Sequence, residues 1–456
     1  MRQLAVIAAS AAALVATSAA FATWMATPAH ANGRFPTASQ LVIRPGHPEQ
    51  MALRTTFGVL VSSDRAATWS FICEAAVGYQ SSEDPALSVT GGGTLLASTG
   101  EGLAVSPDGC AWGFASDGLA NQVVVDSAVR TNAPQGAVVV TSTPTATTDA
   151  GASVQNVQLF ATNDDGAHWA LAGVALDSSV VPTSVEVAAS DPHRIYVTTT
   201  RGSRPNATAS LFVSTDDGAH WTERAIHVDG TVGESAYIAA VDPMRADRVY
   251  VRTMGSGKSR LFVTDDAGVQ FRAVYSGGPM LGFALSTDGA TVYLGGPEDG
   301  LQAASTNDLA FTQRSPLPVG CLAVSGARIY ACVVQSSVLV AASDDGTSFA
   351  PVLHLADVRG PLTCPAASST AACAADWTAL SERFGIGASD AGADGGDASA
   401  APPAPASGCG HCAAVPAPID RPSIGAAALT MALVGVAAAR ARRRRARRGS
   451  RCVTDR

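Results

Sequence analysis

Short apolar segments separated by polar turns recur along the middle of this chain. Leu211-Phe212-Val213 is typical, because its side chains suit a buried strand and a polar turn follows it. Upstream, Asp191-Pro192 leads to Ile195-Tyr196-Val197, and Asp242-Pro243 leads in the same way to Val249-Tyr250-Val251. The pattern predicts a repeating unit of strand, Asp-Pro turn, strand, glycine-rich connection, strand, polar turn and strand.

The polar turns share the composition Ser/Thr-x-Asp-x-Gly/Ala-x-x-Trp/Phe. Four copies fit it without gaps, and three are shortened by one residue. Their central residues are Asp64, Asp108, Asp164, Asp216, Asp266, Asn307 and Asp345. The aromatic residues that close the first five copies are Trp69, Trp112, Trp169, Trp221 and Phe271. The central residues are 38 to 56 positions apart, the length of a four-stranded blade, so residues 32–384 are predicted to form an all-β, seven-bladed β-propeller.

The chemistry of these turns is structural. An Asp carboxylate can accept backbone N–H bonds within a hairpin turn, and a Ser or Thr hydroxyl assists it. Glycine permits the positive φ that such a turn requires. The closing aromatic residue buries a large ring beside the turn. We therefore expect the turn residues to stabilise each blade rather than to act on a substrate.

Net charge limits the partners that the propeller can take. The whole chain has a net charge of -8, with 30 basic and 38 acidic residues. Many of the arginines lie near the C-terminus, and residues 32–408 alone carry 19 basic against 36 acidic residues, a net charge of about -17. A polyanion such as DNA would be repelled, so nucleic-acid binding is excluded as an expected function.

The N-terminus has the features of a secretory signal peptide, predicted over residues 1–31. Arg2 supplies a positive charge, Leu4 to Ala20 form an uncharged apolar run, and Ala29-His30-Ala31 offers a small-x-small cleavage site before Asn32. An uncleaved membrane anchor is the alternative. Export in either form would permit disulfide bonds among the nine cysteines.

The C-terminus predicts attachment to a membrane. Residues 385–408 are rich in Gly, Ala, Asp and Pro, which predicts a disordered linker. Residues 409–456 then contain Cys409 and Cys412, an apolar helix predicted over residues 424–439, and an arginine-rich end. Sixteen helical residues span about 24 Å, slightly short of a hydrocarbon core of about 30 Å. An apolar segment followed by arginines is typical of a stop-transfer signal.

Two resemblances to known families follow from these motifs. The turn motif resembles the Asp-box, or BNR, repeat, and residues 50–355 resemble Asp-box propellers, which include sialidases, xyloglucan-cleaving glycosidases, sortilin-type receptors and photosystem assembly factors. The tail, residues 407–448, resembles the MYXO-CTERM sorting segment of myxobacteria and their relatives. That resemblance implies processing near Cys409 or Cys412 and anchoring at the cell surface. The alanine-rich helix and the extension over residues 449–456 depart from the pattern.

Six cysteines in the propeller are candidates for disulfides. The simplest pairing joins Cys73 to Cys110, Cys321 to Cys332, and Cys364 to Cys373, although 15 connectivities are possible and buried free thiols are the alternative. Between residues 373 and 384, aromatic and apolar side chains at helical spacing predict a short helix that packs on the last blade. We interpret Cys409-x-x-Cys412 as part of the sorting segment, since it lacks the βαβ context of a redox pair and the ligands of a zinc site.

No catalytic constellation or cofactor motif is evident. The eight histidines form no metal-ligating pattern, and neither a nucleophile elbow nor a phosphate-binding loop is present. A sialidase would need an arginine triad, but the available arginines are interpreted as surface charges: Arg44, Arg54, Arg130, Arg194 and Arg201. A glycosidase would need two facing carboxylates, but the glutamates are interpreted as exposed loop residues: Glu74, Glu101, Glu186, Glu234 and Glu298.

The leading hypothesis is a monomeric, non-enzymatic binding or scaffolding module that is exported and anchored to the cell envelope. Its partner would be a surface glycan or protein, with the membrane contacted through the C-terminal segment, and no metal or cofactor is expected. The alternative is a surface glycoside hydrolase, sialidase-like or xyloglucanase-like, with carboxylates on the propeller face. An acidic pair on opposite walls of the central groove, or an arginine triad, would favour the enzyme.

Overall fold

The structure is a computed structural model that describes residues 35–80, 82–148, 153–226, 233–255, 258–334 and 336–386. In these ranges 28 strands form seven four-stranded antiparallel sheets, each built from four consecutive strands. The predicted all-β, seven-bladed propeller is therefore confirmed. Each blade contains one of the seven repeat turns, between its third and fourth strands.

The first four blades are bounded as follows. Blade 1 comprises β1 (Ala38–Ile43), β2 (Met51–Thr55), β3 (Gly58–Ser62) and β4 (Ser70–Ile72). Blade 2 comprises β5 (Ala86–Val89), β6 (Leu95–Ser98), β7 (Leu103–Ser106) and β8 (Gly113–Phe114). Blade 3 comprises β9 (Val124–Val129), β10 (Ala137–Thr147), β11 (Ser153–Thr162) and β12 (Ala170–Leu171). Blade 4 comprises β13 (Val180–Val187), β14 (Ile195–Arg201), β15 (Thr208–Ser214) and β16 (Thr222–Ala225).

Three further blades and two helices complete the described chain. Blade 5 comprises β17 (Ser235–Val241), β18 (Val249–Met254), β19 (Ser259–Thr264) and β20 (Arg272–Gly277). Blade 6 comprises β21 (Gly282–Leu285), β22 (Thr291–Gly296), β23 (Gly300–Ser305) and β24 (Thr312–Ser315). Blade 7 comprises β25 (Val319–Ser325), β26 (Arg328–Val333), β27 (Val338–Ser343) and β28 (Ala350–His354). The α-helices are α1 (Glu74–Val77) and α2 (Cys373–Phe384), and 3-10 turns occupy Leu355–Asp357 and Ser369–Ala372.

The first strands of the blades stand side by side around a central channel. Each contacts the first strand of the next blade, and β1 contacts both β5 and β25, which closes the ring. The hydrophobic core lies between neighbouring sheets: Leu96 and Leu103 of blade 2 pack with Val139 and Phe160 of blade 3. Because the strands alternate in direction, the repeat turns lie on one face, here called the turn face. The connections between blades, such as 73–85 and 315–319, lie on the opposite or open face.

The repeat turns have the predicted internal bonding. In blade 4 the Ser214 hydroxyl donates to Asp216 Oδ1 (2.9 Å), and the same oxygen accepts the His220 amide (2.9 Å). Asp217 and Gly218 both have positive φ, 56° and 86°, which explains the glycine at the second position. Equivalent carboxylate bonds occur at Asp64, Asp164 and Asp266. In blade 6 the accepting carboxylate is that of Asp308, one residue beyond Asn307.

The closing aromatic residues pack as expected. The Trp69 and Trp169 side chains are 1% and 5% exposed, and each donates its indole N–H to the carbonyl three residues earlier. Trp112 donates in the same way to Gly109. Trp221 differs, because its indole N–H donates to Val174 of the preceding blade. Phe271 packs against the core between blades 4 and 5.

Arginines on the turn face join neighbouring blades, which corrects their interpretation as plain surface charges. Arg130 of blade 3 is 8% exposed, and its guanidinium donates to Asp217 of blade 4 (2.9 Å). Arg194 of blade 4 pairs with Asp247 of blade 5. Arg44 donates from blade 1 to the Gly91 carbonyl of blade 2 (2.8 Å). These residues lie at blade boundaries, where a guanidinium can reach across to the next turn.

Arg201 is closer to the surface charge that the sequence predicted. It lies on the open face, where its side chain is 35% exposed and pairs with Asp177 and Glu223. Exposed ion pairs of this kind contribute little to stability, about 0–1 kcal/mol.

All six propeller cysteines form disulfides, but two of the three predicted pairs were wrong. The bonds join Cys73 to Cys373, Cys110 to Cys364, and Cys321 to Cys332. Only the last pair was predicted, and its two cysteines lie directly opposite each other on β25 and β26. The others failed because pairing by nearness in sequence ignores ring closure, which returns the end of the chain to blades 1 and 2.

Residues 358–386 form a clasp over the outer edges of blades 1 and 2. The Phe71 amide donates to the Gly360 carbonyl (2.7 Å), and the Leu362 amide donates to the Phe71 carbonyl (2.8 Å). Trp377 of α2 packs on Phe71, with ring centroids 5.4 Å apart. The helix over residues 373–384 is therefore where it was predicted, but it packs on the first blade instead of the last.

The terminal predictions lie outside the described residues. They comprise the signal peptide 1–31, nearly all of the linker 385–408, Cys409 and Cys412, and the membrane helix 424–439. Within the described ranges, no helix combines the length and apolar character needed to cross a bilayer.

Candidate functional site

The central channel is a concave site shared by all seven blades. It encloses a cavity of about 560 Å³ lined by residues of all seven blades, most of them on the first strands. The inner edge of each first strand is unpaired within its own sheet, so its backbone N–H and C=O groups need other partners. Side chains from neighbouring blades supply several of them.

In three blades, the side chain at one equivalent position of the first strand bonds to a backbone group of the next blade. Gln40 of β1 donates to the Leu87 carbonyl (3.0 Å) and accepts the Leu87 amide (2.9 Å) of β5. Ser184 of β13 accepts the Ile238 amide of β17 (2.8 Å). Asp126 occupies the equivalent position of β9. A β-bulge precedes each of the three residues, and bulges redirect the side chains that follow them.

Asp126 is bound through both carboxylate oxygens. Oδ2 accepts the Val185 amide of β13 (3.0 Å), and Oδ1 accepts the Ser127 amide (2.9 Å). Burial raises the pKa of Asp126 to about 6, against the lowering effects of these bonds and of Arg54 and Arg252. The carboxylate therefore remains ionised at neutral pH while it joins blade 3 to blade 4.

Glu186 follows Val185 directly on β13 and lies deeper in the channel, toward the turn face. Burial raises its pKa to about 8, and the nearby Asp126 carboxylate contributes to the same shift. Glu186 is consequently protonated at neutral pH. This result corrects its interpretation as an exposed loop residue, since Glu186 lies on a strand and lines the channel.

Two arginines lie at the open-face end of the channel. Arg54 of β2 donates to the Asp84 and Pro85 carbonyls (3.0 Å each) and to the Ser39 hydroxyl (3.0 Å). Arg252 of β18 donates through Nη1 to the Met280 and Leu281 carbonyls (3.1 and 3.3 Å). We call this end of the cavity, formed by Ser39, Arg54, Tyr237 and Arg252, the channel mouth.

Tyr237 completes the channel mouth and packs against Arg252. The centre of its ring is 5.6 Å from Arg252 Cζ, close enough for a cation–π interaction. Burial lowers the pKa of Arg252, Arg54 lowers it further, and Tyr237 and Asp126 act in the opposite direction. The guanidinium is thus held in place by two backbone carbonyls and a tyrosine ring.

The two ends of the channel differ in character. Toward the turn face, the lining is mostly aliphatic, with side chains such as Ile43, Val89 and Val129 beside Glu186. On blades 6 and 7 the lining is apolar as well, with Phe283 and Leu322. Polar and charged groups are therefore concentrated at the channel mouth and along blades 1 to 4.

The sequence singled out Arg54 and Glu186 but not as channel residues, and it missed Asp126, Tyr237 and Arg252. The sequence feature that could have identified these channel residues was a charged residue inside an otherwise apolar strand. Asp126 follows three valines, and Arg252 follows Val249-Tyr250-Val251. A buried strand seldom carries an ionisable side chain unless that side chain has a partner or a function.

The other glutamates lie away from the channel. Glu74 is in the first turn of α1, and Glu101 and Glu298 are exposed in loops of the open face. Glu234 is 12% exposed at its side chain and bonds to Thr253 and Arg260, so it is not the exposed residue that was expected. Across the described ranges, no group of three or more His, Cys, Asp or Glu side chains is arranged to hold a metal ion.

Comparison with known proteins shows the fold. No protein-family model matches the chain, and no curated protein matches it by sequence. Among solved structures, an ancestral GH74 enzyme is similar with a TM-score of 0.50 at 13% identity, covering 71% of this chain and 46% of that one.

Two more distant structures are similar over a comparable part of the chain. The GH74 xyloglucanase of Xanthomonas campestris has a TM-score of 0.34 at 18% identity, covering 72% of this chain and 55% of that one. The β-propeller domain of Cps50 (Swd1) from Myceliophteria thermophila has a TM-score of 0.44 at 12% identity, covering 66% and 94%. The chain spans about half the length of the GH74 enzymes it resembles. At these identities the likeness concerns the fold and not the activity.

Proposed function

We propose that this protein is a non-enzymatic binding or scaffolding module of the cell surface, an Asp-box propeller that receives its ligand at the channel mouth. The observation that carries the proposal is the bonding of Asp126. Both of its oxygens accept backbone amides, one of them from the next blade. Its carboxylate therefore joins blade 3 to blade 4 and is engaged in structural bonds, and we propose that the ligand binds at the fixed polar mouth beside it.

The relative placement of the two acidic residues argues against hydrolysis. Inverting and retaining glycosidases place their two carboxyl groups on either side of the scissile bond, about 5–10 Å apart. Asp126 and Glu186 belong to adjacent blades, and the Asp126 carboxylate bonds to the residue that precedes Glu186. They lie on the same wall of the channel, so a glycosidic bond would have both on one side.

One observation favours the glycoside hydrolase as a second candidate. With pKa values of about 6 and about 8, Asp126 is ionised and Glu186 protonated near neutral pH. Catalysis by a carboxylate and a carboxylic acid requires that division of roles. A surface glycosidase therefore remains the alternative that an experiment must address.

The localisation of the protein is also part of the proposal. Three disulfides support export to an oxidising compartment. The described part of the chain reaches residue 386, at the start of the predicted linker 385–408, and we propose that residues 409–456 anchor the propeller to the envelope as a MYXO-CTERM-type segment. The propeller would then be presented at the surface as a monomer.

The experiment is a panel of glycans and envelope proteins offered to the full-length protein, with binding and product release scored together. We expect binding of at least one partner without products, and retention of that binding in Asp126→Asn and Glu186→Gln. Products formed by the wild type and lost in Glu186→Gln would establish the hydrolase instead. Exposed Glu101→Gln is the matched control, because it removes a glutamate carboxylate that lies outside the channel.

A further inference from the structure

A groove on the turn face lies between blades 1 and 2. It encloses a cavity of about 370 Å³, which is within the range of about 300–1,000 Å³ that is usual for small-molecule sites. The buried side chains of Met51 and Leu95 give it an apolar base, and Leu362 of the clasp also lines it. Arg44 and Asp108 supply charged groups to the same cavity. The channel mouth opens on the other face, so a ligand in this groove goes beyond the proposed function.

The groove is open because the repeat turn of blade 2 lacks a side chain that other turns have. In blades 3 and 4 the residue after the central aspartate reaches back to the preceding blade. Asp165 accepts the Gly92 amide (2.8 Å), and Asp217 accepts a bond from Arg130 (2.9 Å). In blade 2 this position is Gly109, which lines the groove. At this position, then, blade 2 offers no carboxylate to blade 1.

Arg44 is the counterpart of Arg130, since each directly follows the first strand of its blade. Its Nε donates to the Gly91 carbonyl of blade 2 (2.8 Å), and its Nη1 donates to Gln50 Oε1 (2.7 Å). Its Nη2 has no hydrogen-bond partner within the described chain and is not sealed from solvent. Arg130 pairs with Asp217, whereas no carboxylate of the described residues pairs with Arg44. The guanidinium is thus held by two bonds and keeps one NH₂ group open.

Asp108 is the second group in the groove with an uncommitted atom. Its Oδ1 accepts the Ala111 and Cys110 amides (2.9 and 2.8 Å), which lower the pKa of its carboxyl and keep it ionised at neutral pH. In the equally short turn of blade 7, Asp345 also uses its Oδ2, which accepts the Thr347 hydroxyl (2.7 Å). Cys110 stands at the position of Thr347, but its sulfur is committed to a disulfide. Asp108 Oδ2 has no hydrogen-bond partner among the described residues.

Two opposite charges thus line one cavity without pairing with each other. An arginine N–H group bonds strongly to a carboxylate, and a carboxylate oxygen accepts bonds from an ammonium group. A ligand that carries both of these groups completes both side chains. We propose that the groove binds a small zwitterion, a free amino acid or a dipeptide, whose carboxylate contacts Arg44 Nη2 and whose ammonium group contacts Asp108 Oδ2.

Charge and polarity both limit the ligand. The charges of Arg44 and Asp108 sum to zero, so a ligand with a net charge leaves one of the two side chains without a partner. A simple carboxylic acid or a simple amine completes only one of them. The apolar base formed by Met51 and Leu95 favours an apolar ligand side chain, such as that of leucine or phenylalanine.

The test is calorimetric titration of the full-length protein near pH 7 with matched probes. The zwitterions are L-leucine, L-phenylalanine and glycyl-L-leucine. Each is compared with its N-acetyl derivative, which lacks the ammonium group, and with its amide, which lacks the carboxylate. We expect at least one zwitterion to bind, and both of its derivatives to bind at least about tenfold more weakly, the effect of one lost charge-assisted hydrogen bond. A smaller difference for either derivative, or no binding by any zwitterion, would overturn the assignment.

Asp108→Asn tests the contact with the ammonium group. The variant keeps an oxygen for the turn amides but loses the charge, so it should bind the zwitterion at least about tenfold more weakly and the N-acetyl derivative as the wild type does. Asp345→Asn is the matched control, because Asp345 accepts two turn amides in the same way but lies in blade 7, away from the groove. Unchanged binding by Asp108→Asn, or an equal loss in both variants, would contradict the assignment.

Gly109→Asp tests the contact with Arg44. It gives blade 2 the carboxylate that blade 4 presents from the same position, so it should pair with Arg44, fill the groove and abolish binding. A Cβ at Gly109 would first meet the flexible end of the Leu362 side chain, at 3.1 Å. Gly346→Asp is the matched control, because Gly346 holds the same turn position in blade 7 and has nearly the same φ, 71° against 74°. If Gly109→Asp bound the zwitterion as the wild type does, the assignment would be wrong.

The outcomes separate this site from the proposed function. A ligand at the channel mouth should bind equally to the wild type and to Gly109→Asp, because the substitution lies on the other face. Failure of every zwitterion to bind would overturn the groove site and leave the binding module intact. The comparison of each zwitterion with its derivatives is made on the wild type, so it stands even if a variant fails to fold.

Discussion

Replacement of Glu186 by Gln should change how the stability of the propeller depends on pH. The folded protein raises the pKa of this carboxyl from 4.5 to about 8. Between those two pH values the native state holds a proton that the unfolded state releases. The wild-type free energy of unfolding therefore declines as pH rises from about 4.5, and the decline is complete above about 8. Glutamine has nearly the same shape and cannot ionise, so this component of the decline disappears.

The magnitude follows from the size of the shift. Raising a pKa from 4.5 to about 8 corresponds to about 5 kcal/mol at a pH above both values. Solvent that enters the open channel would screen the carboxylate and reduce that figure, which is therefore an upper limit. We expect Glu186→Gln to be more stable than the wild type by about 2–5 kcal/mol at pH 9 and nearly equal to it at pH 5.

The assay is urea denaturation of the wild type and the variant at intervals between pH 5 and pH 9. The difference between the two curves reports Glu186 together with its coupling to Asp126, because titrating groups that do not interact with Glu186 contribute equally to both. Exposed Glu101→Gln should track the wild type throughout. If the curves of wild type and Glu186→Gln ran parallel from pH 5 to pH 9, the assignment of a buried, protonated Glu186 would be refuted.

Three further predictions concern the frame around the channel. Asp216→Ala removes the acceptor of the His220 amide and the Ser214 hydroxyl, so calorimetry should show a lower melting temperature with ligand affinity unchanged; selective loss of the ligand would contradict a structural role. Asp217→Asn removes the carboxylate that pairs with the buried Arg130, so urea denaturation should show a loss of stability of about 1–3 kcal/mol. Asp344→Asn removes a carboxylate from an exposed ion pair and should cost less than about 0.5 kcal/mol. Equal losses would contradict the claim that burial makes the Arg130–Asp217 pair the stronger one. Replacing Cys73, Cys110, Cys364 and Cys373 by serine removes both disulfides that join the clasp to blades 1 and 2, which close loops of 300 and 254 residues, and should cost at least about 5 kcal/mol. Replacing the pair separated by 11 residues should cost about 3 kcal/mol; a smaller loss from the clasp disulfides would show that they do not stabilise the closed ring.

The propeller architecture was predictable because the motif that indicates it, the repeat turn, lies within a short stretch of sequence. Five of the seven repeat turns contain a hydroxyl, a carboxylate, a glycine and an aromatic ring within eight residues, as in Ser214 to Trp221. These groups bond to one another or to the adjacent backbone, so their spacing in sequence reports their geometry. The number of blades followed from counting the turns.

The disulfides show that prediction from nearness in sequence works only for contacts within one hairpin. Cys321 and Cys332 pair across one hairpin, so nearness in sequence identified them. Cys73 and Cys373 are 300 residues apart, and they meet because the closed ring returns the C-terminal segment to blade 1. Nothing in the local sequence encodes that return. It is a property of the complete ring.

The channel residues were hidden for a related reason. Asp126 becomes significant only when its strand is aligned with β13, whose amide it accepts. Arg252 likewise reaches the mouth from a second strand, beside a tyrosine of the first. An ionisable residue within an apolar strand was visible in the sequence, but the blade register that brings five such side chains to one cavity was not.

The central claim is that the propeller binds its ligand and returns it unchanged. The most direct measurement is mass spectrometry of a bound ligand after prolonged incubation with the full-length protein near pH 7, where Asp126 is ionised and Glu186 protonated. The account predicts that the ligand is recovered intact in amounts equal to those from a protein-free control. Recovery of a cleaved ligand from the wild type, but of an intact one from Glu186→Gln, would contradict it and identify a hydrolase.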